Sequence, residues 1–164
     1  IYTLSLHDAL PIWVQDSHMA SLALDSDLLI LAVSPNHPLA AKNRISLNEL
    51  KQQRMILRLP DSGTRGLFES TLESMNLSIN DFRIIMEIDN IATIKELVRR
   101  DYGVSVLAKS TCLDEIQQGK IVALPIENLS MIREVNIVYR EEFEYPDILM
   151  DIVRSYNEVK NRLY

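Results

Sequence analysis

Two short runs of this chain carry the polar groups best suited to hold a small anion: Pro60-Asp61-Ser62-Gly63-Thr64-Arg65 and Ile88-Asp89-Asn90-Ile91. Each follows an apolar stretch and precedes a helical pattern. A helix start presents backbone N–H groups without intrahelical partners and about half a positive charge, so each joint has an anion-binding geometry. Ser62 and Thr64 add hydroxyls that can cap the helix or bond a guest. Gly63 lets the backbone come close to a ligand, and Arg65 can clamp a carboxylate with two donors. Plain alternatives stand beside each of these roles. A cap needs no ligand, and Arg65 lies four residues before Glu69, the spacing of an ion pair along a helix. Asp89 or Asn90 caps a helix equally well unaided. The charge of Asp89 opposes an anion, and Thr93 serves its own helix.

Catalytic and metal chemistry is not visible. His7, His18 and His37 stand at no ligand spacing, and His37 lies in a turn with a structural role. Cys112 is the sole cysteine, so it forms no internal disulfide and reads as a half-buried structural residue. A nucleophile elbow, a phosphate-binding Walker loop and a dinucleotide glycine fingerprint are all missing. The many acidic residues form no evident acid–base pair. The expectation is a chain that is not an enzyme and uses neither cofactor nor metal.

The elements that position the two joints follow from periodicity. Arg54–Leu59 and Phe82–Ile88 read as buried strands, and the first leads into a helix with Leu67, Phe68, Leu72 and Met75 on its apolar stripe. Ile91, Ile94, Leu97 and Val98 mark a second helix, after which Gly103 precedes another strand, Val104–Ala108. Two strands joined through a helix predict parallel neighbours in an α/β sheet. Ligands of such sheets sit beyond the strands' carboxyl ends, so both joints are expected on one side. Upstream, Leu28–Val33 is a buried strand ended by Ser34-Pro35, and Ser46-Leu47-Asn48-Glu49 matches a capping box. Downstream come a short helix from Thr111 that Gly119 stops, and strands at Ile121–Leu124 and Val135–Tyr139. A last helix opens near Pro146, with Ile148, Ile152, Tyr156, Val159 and Leu163 on one face. The opening run IYTLSLHDALPI lacks this order and resembles translated adapter sequence. Ile1–Trp13 is therefore read as a non-native or disordered leader.

Composition bounds the rest. With 164 residues and 47% hydrophobic content, the chain can bury one domain core or two small ones. A net charge of −6 with scattered Lys and Arg argues against this piece gripping nucleic acid itself. No apolar run approaches the ~20 residues of a membrane helix. The single cysteine suits a reducing cytoplasm.

Four segments, LLILAVSPNHPLA, ISLNEL, MILRLPDSGTRGLFE and MEIDNIATIKELVRRDYGVSVL, stand in an order and spacing similar to those of LysR-type transcriptional regulators. From Leu22 to Val159 the chain resembles that family's C-terminal effector-binding domain. The resemblance implies an α/β fold like type 2 periplasmic binding proteins: two lobes joined by two crossover strands, here Leu28–Ser34 and Arg133–Tyr139. It implies a partial first lobe from residues 14–34 and 132–164, and a second lobe from 35–131. Ser62, Gly63, Thr64 and Arg65 match the family's ligand-facing loop, and Asn90 and Ile91 its second ligand-facing joint. The implied function is sensing a small, anionic effector between the lobes. DNA would be bound only through an N-terminal winged helix-turn-helix that this sequence lacks, and the full-length protein would be a cytoplasmic homodimer or homotetramer. With half the cleft absent, this piece alone is expected to bind nothing measurably. The alternatives are a solute-binding protein of the same fold, which would carry a secretion signal or lipidation cysteine, and an enzyme built on it.

Overall fold

The computed structural model describes residues 18–163, and the leader expected at Ile1–Trp13 lies outside them. The elements are β1 (Met19–Val33), α1 (Leu47–Lys51), β2 (Met55–Leu57), α2 (Gly63–Ser74), β3 (Ile84–Glu87), α3 (Ile91–Arg99), β4 (Ser105–Ala108), α4 (Leu113–Gln117), β5 (Val122–Leu124), β6 (Ile132–Arg140) and α5 (Pro146–Leu163). The described residues divide into a larger unit, Asp27–Arg133, and a smaller one built from residues 18–26 and 134–163. The boundary between these units falls inside β1. The reason is burial: Leu29 to Val33 pair with β4 and β5 and belong to the larger unit's core.

In the larger unit β2 lies parallel to β3. A parallel bridge at Met55 and Val104, with the Ile56 N–H donating to the Val104 carbonyl at 2.8 Å, joins β2 to the start of β4. β1 then runs antiparallel between β4 and β5. The spatial order is thus β3-β2-β4-β1-β5. The expectation that β3 and β4 are direct neighbours is corrected, because β2 stands between them. Met55, Ile56 and Leu57 are shut from solvent on both faces, and three such apolar residues gain most from an interior place in the sheet.

Alternation along the strands builds two cores. Leu29, Leu31, Val33, Met55, Leu57, Val104 and Val106 face one way, onto Phe68 and Leu72 of α2. Ile30, Ala32, Ile56 and Leu107 face the other way, onto Ile94 and Val98 of α3. The period of two sends successive side chains to opposite faces, so both faces need a helical cover. Met75 does not join the α2 stripe; it is the C-cap residue and exposed, while Thr64 is buried at the other end. Cys112 is completely rather than half buried. Burial pushes its thiol pKa up, although the Thr111 hydroxyl and Lys95 pull the other way.

The helix ends follow their residues. Ser46 and Glu49 form the expected capping box, and the Nδ1 of His37 accepts from the Leu39 N–H at 3.2 Å. Gly103, however, does not turn α3 off: Asp101, at φ 60°, takes the left-handed position. Gly103 serves the sheet instead, since a Cβ there would stand 2.7 Å from the Arg54 carbonyl oxygen.

In the smaller unit α5 begins at Pro146, as expected. Asp25 accepts from Lys160 Nζ at 2.5 Å and from the Tyr156 hydroxyl at 2.9 Å. Lys160, the Ser26 N–H and Tyr156 together hold its carboxyl below the usual range. Ile148, Ile152 and Val159 share an exposed face of the helix.

Candidate functional site

β2, β3 and β4 run the same way, so the segments leaving their carboxyl ends gather on one edge of the sheet. The starts of α2 and α3 therefore open on the same side of the larger unit, as the repeated strand–joint–helix pattern predicts. A helix N-terminus concentrates unpaired N–H groups and positive potential, and this edge carries two of them.

Ser62 holds the N-cap position of α2, yet its hydroxyl makes no capping bond. The Gly66 N–H donates to the Ser62 carbonyl at 2.9 Å. A Cβ added to Gly63 would meet nothing within 4 Å, so the space beside this backbone is open. Thr64 is 6% exposed, and its Oγ1 lies 3.5 Å from Nη1 of Arg133. Asn90 caps α3, its Oδ1 accepting from the Thr93 N–H at 2.9 Å and the Thr93 hydroxyl at 3.3 Å. Ile91, half-buried, is the first residue of that helix.

Arg65 is committed elsewhere. Its Nε donates to Glu69 at 2.7 Å, and Nη1 donates to Glu87 at 2.8 Å and to the Arg58 carbonyl at 3.1 Å. Desolvation works against its charge, but Glu69 and Glu87 outweigh it and raise the pKa. Asp89 pairs with Arg58 at 3.0 Å, and the Nε of Arg58 is buried without a partner.

Three more polar residues reach this edge that the sequence patterns did not single out. β1 aligns Leu29 with Ala108, so continuing that antiparallel register brings Asp27 opposite Ser110. The Ser110 N–H donates to Asp27 Oδ1 at 3.2 Å, and its hydroxyl bonds Oδ2. Arg133 Nη2 stands 3.3 Å from the same Oδ2. Local sequence holds no signal for this cluster, because its contacts join residues 69 to 106 positions apart. Among the described residues no group of His, Cys, Asp and Glu is arranged to hold a metal ion. No helix among them is long and apolar enough to cross a membrane. What the edge brings together is hydroxyls, helix N–H groups and a guanidinium, all of them able to donate hydrogen bonds.

Comparison with known proteins bears on the fold and the family. A solved effector-binding domain of QuiR in complex with shikimate matches with TM-score 0.70 and 21% identity, over 88% of this chain and 68% of that one. The CcmR regulatory domain of Synechocystis PCC6803, in complex with 2-PG, matches with TM-score 0.72 and 19% identity, over 86% and 68%. Both likenesses establish the fold. An uncharacterized HTH-type transcriptional regulator of Methanocaldococcus jannaschii is 31% identical over 70% of this chain and 39% of its own length. The chain thus spans about two-fifths of that relative. The family model described as the LysR substrate binding domain matches residues 8–149, most of the sequence. With the edge geometry, the periplasmic-binding-protein-like α/β fold and this match in agreement, the chain belongs to the LysR substrate-binding domain family.

Proposed function

We propose that this effector-binding domain senses a small anion at the carboxyl edge of the larger unit's sheet and passes that signal to a DNA-binding part of a longer regulator. The observation that carries this is the pair of helix starts on one edge, with the uncapped Ser62 hydroxyl and the Thr64 hydroxyl beside the first. Ser62, Gly63, Thr64, Asn90 and Ile91 form the contact set of this reading. Arg65, pinned by Glu69 and Glu87, positions the start of α2. A ligand favouring one arrangement of the domain shifts its population by the difference in affinity, and that bias is the signal. The neighbours that bind shikimate, a carboxylate, and 2-PG support this ligand class. The M. jannaschii relative is named as an HTH-type regulator and is more than twice the length matched here, which favours transcription control over solute transport or catalysis. The same reading assigns the full-length protein DNA as a partner, a homodimeric or homotetrameric state, and a cytoplasmic setting.

The test is calorimetric titration of the full-length protein with shikimate, sulfate and phosphate, and with cationic amines of similar size. Saturable binding of an anion is expected. Thr64→Val should weaken it by about 1 kcal/mol, the scale of one hydrogen bond. Binding confined to cations or uncharged apolar compounds would overturn the reading.

A further inference from the structure

Asp27 and Arg133 are the first and last residues of the larger unit, facing each other where the chain enters and leaves it. Asp27 is 9% exposed, and Ser110 already supplies bonds to both of its oxygens. Arg133 is far less well served. Its Nη2 contact to Asp27 is 3.3 Å and its Nη1 contact to Thr64 is 3.5 Å, while Nε is buried and bonds nothing. Charge-assisted N–H···O bonds settle near 2.7–2.9 Å, so both contacts are loose. A guanidinium is a rigid fork of donors that fits a carboxylate or phosphate with two parallel bonds. This one leaves much of that capacity unused beside the start of α2, where Thr64 is buried and Gly63 leaves open space.

We propose that Arg133 is the cation that receives the anion. Thr64 shares the guest, and Asp27, anchored by Ser110, is the resident counter-ion against which the guest competes. The proposal rests on the reading of this edge as an anion site and adds a residue and a competition to it. In the empty state Asp27 compensates the guanidinium and holds it near Thr64. An arriving oxyanion offers shorter, paired bonds, while Asp27 keeps its Ser110 bonds and is not stranded. Ser110 thereby makes the exchange reversible: a buried carboxylate left with no donors would cost too much to release.

The experiment is calorimetric titration of the full-length protein and its variants with sulfate, phosphate and shikimate, alongside thermal melts. For whichever anion saturates the native protein, Arg133→Gln should lower affinity about tenfold or more, the scale of a lost charged hydrogen bond. Arg133→Lys should fall between the two. Asp27→Asn, which keeps the Ser110 bonds but removes the competing charge, should bind the anion several-fold more tightly. The double variant should match Arg133→Gln, because without the guanidinium there is nothing to compete for. A pair that merely staples β1 to β6 would lower the melting temperature in both single variants and leave affinity unchanged, which overturns the proposal. Weaker binding by Asp27→Asn would overturn the competition. Native protein that binds the anion as well as Arg133→Gln does refutes this inference alone. Native protein that binds none of the three refutes the anion site itself.

Discussion

At the scale of single residues, the folded chain is most sensitive where two backbones meet or a ring fills a core. Gly103 is such a place. A methyl group there would lie 2.7 Å from the Arg54 carbonyl oxygen and 3.2 Å from Ile56 Cγ1. That carbonyl accepts the Val104 N–H at 2.8 Å, in the link that joins β2 to β4, and cannot easily retreat. Gly103→Ala is therefore expected to cost about 1–3 kcal/mol, the range of overpacking, and chemical denaturation would measure it. Phe68 is fully buried and packs edge-to-face on Phe82, with ring centroids 5.9 Å apart. Phe68→Ala should lose about 3–5 kcal/mol, since the cavity it leaves lies between the sheet and α2. An unfolding midpoint near that of the native protein would refute either statement. Cys112 gives a kinetic counterpart. Its burial and raised pKa leave little thiolate at the surface, so a disulfide reagent should label it only as fast as the larger unit opens. Immediate labelling of native protein would contradict that.

At the scale of elements, α1 shows how one acidic residue ties a short helix to pH. Glu49 accepts from the Ser46 N–H at 3.0 Å and the Ser46 hydroxyl at 2.9 Å, and it pairs with Lys42. Lys42 first, then the Ser46 N–H and hydroxyl, lower its pKa from 4.5 to about 2. A carboxyl with a depressed folded pKa contributes stability that is complete above its ordinary value. That contribution fades as pH falls from 4.5 toward 2. The stability difference between native protein and Glu49→Gln should shrink across that window and stay constant above it, as urea midpoints at several pH values would show. A difference that holds constant down to pH 2 would be inconsistent with the capping geometry. Ser46→Ala removes the acceptor for the Glu49 N–H as well and should cost about 1 kcal/mol. In α2, by contrast, the N-cap hydroxyl makes no capping bond. Ser62→Ala should leave stability almost unchanged while weakening an anion ligand, and that separation distinguishes a binding serine from a capping one.

At the scale of the whole molecule, stability is expected to divide along the boundary within β1. Residues 29–33 of this strand are bonded on both sides and almost completely buried. In the smaller unit the chain keeps Ile148, Ile152 and Val159 of α5 exposed, so less apolar burial supports it. Amide exchange should accordingly be slowest at Leu31 and Val106 and tens of fold or more faster along residues 19–26, since regions with fewer buried contacts open at lower free energy. Uniform protection along the full length of β1 would argue against two units of unequal stability.

The sequence by itself determined most of the elements and both helix starts. Period-two and period-3.6 patterns report burial directly, and residues such as Ser46, Asn90 and Pro146 act on the backbone within three positions of themselves. Local chemistry of that range is readable from neighbours in the chain. What only the tertiary structure decided is whatever depends on strand order and register. β2 took an interior place, between β3 and β4, because two covered faces suit its unbroken apolar run. Gly103 proved to be a point of backbone contact and not a helix stop, which is a matter of Arg54 across the sheet. Met75 fell outside the core because α2 ends there, one residue too soon for the stripe to continue. The edge cluster is the clearest instance: Asp27, Thr64, Ser110 and Arg133 come from four separate segments. Nothing in the neighbourhood of any one of them records the others. Antiparallel pairing of β1 with β4 sets Asp27 beside Ser110, and pairing of β1 with β6 sets Arg133 beside Asp27. Register is a long-range quantity, fixed by which faces are buried, and the side chains it brings together are visible only once the sheet has closed.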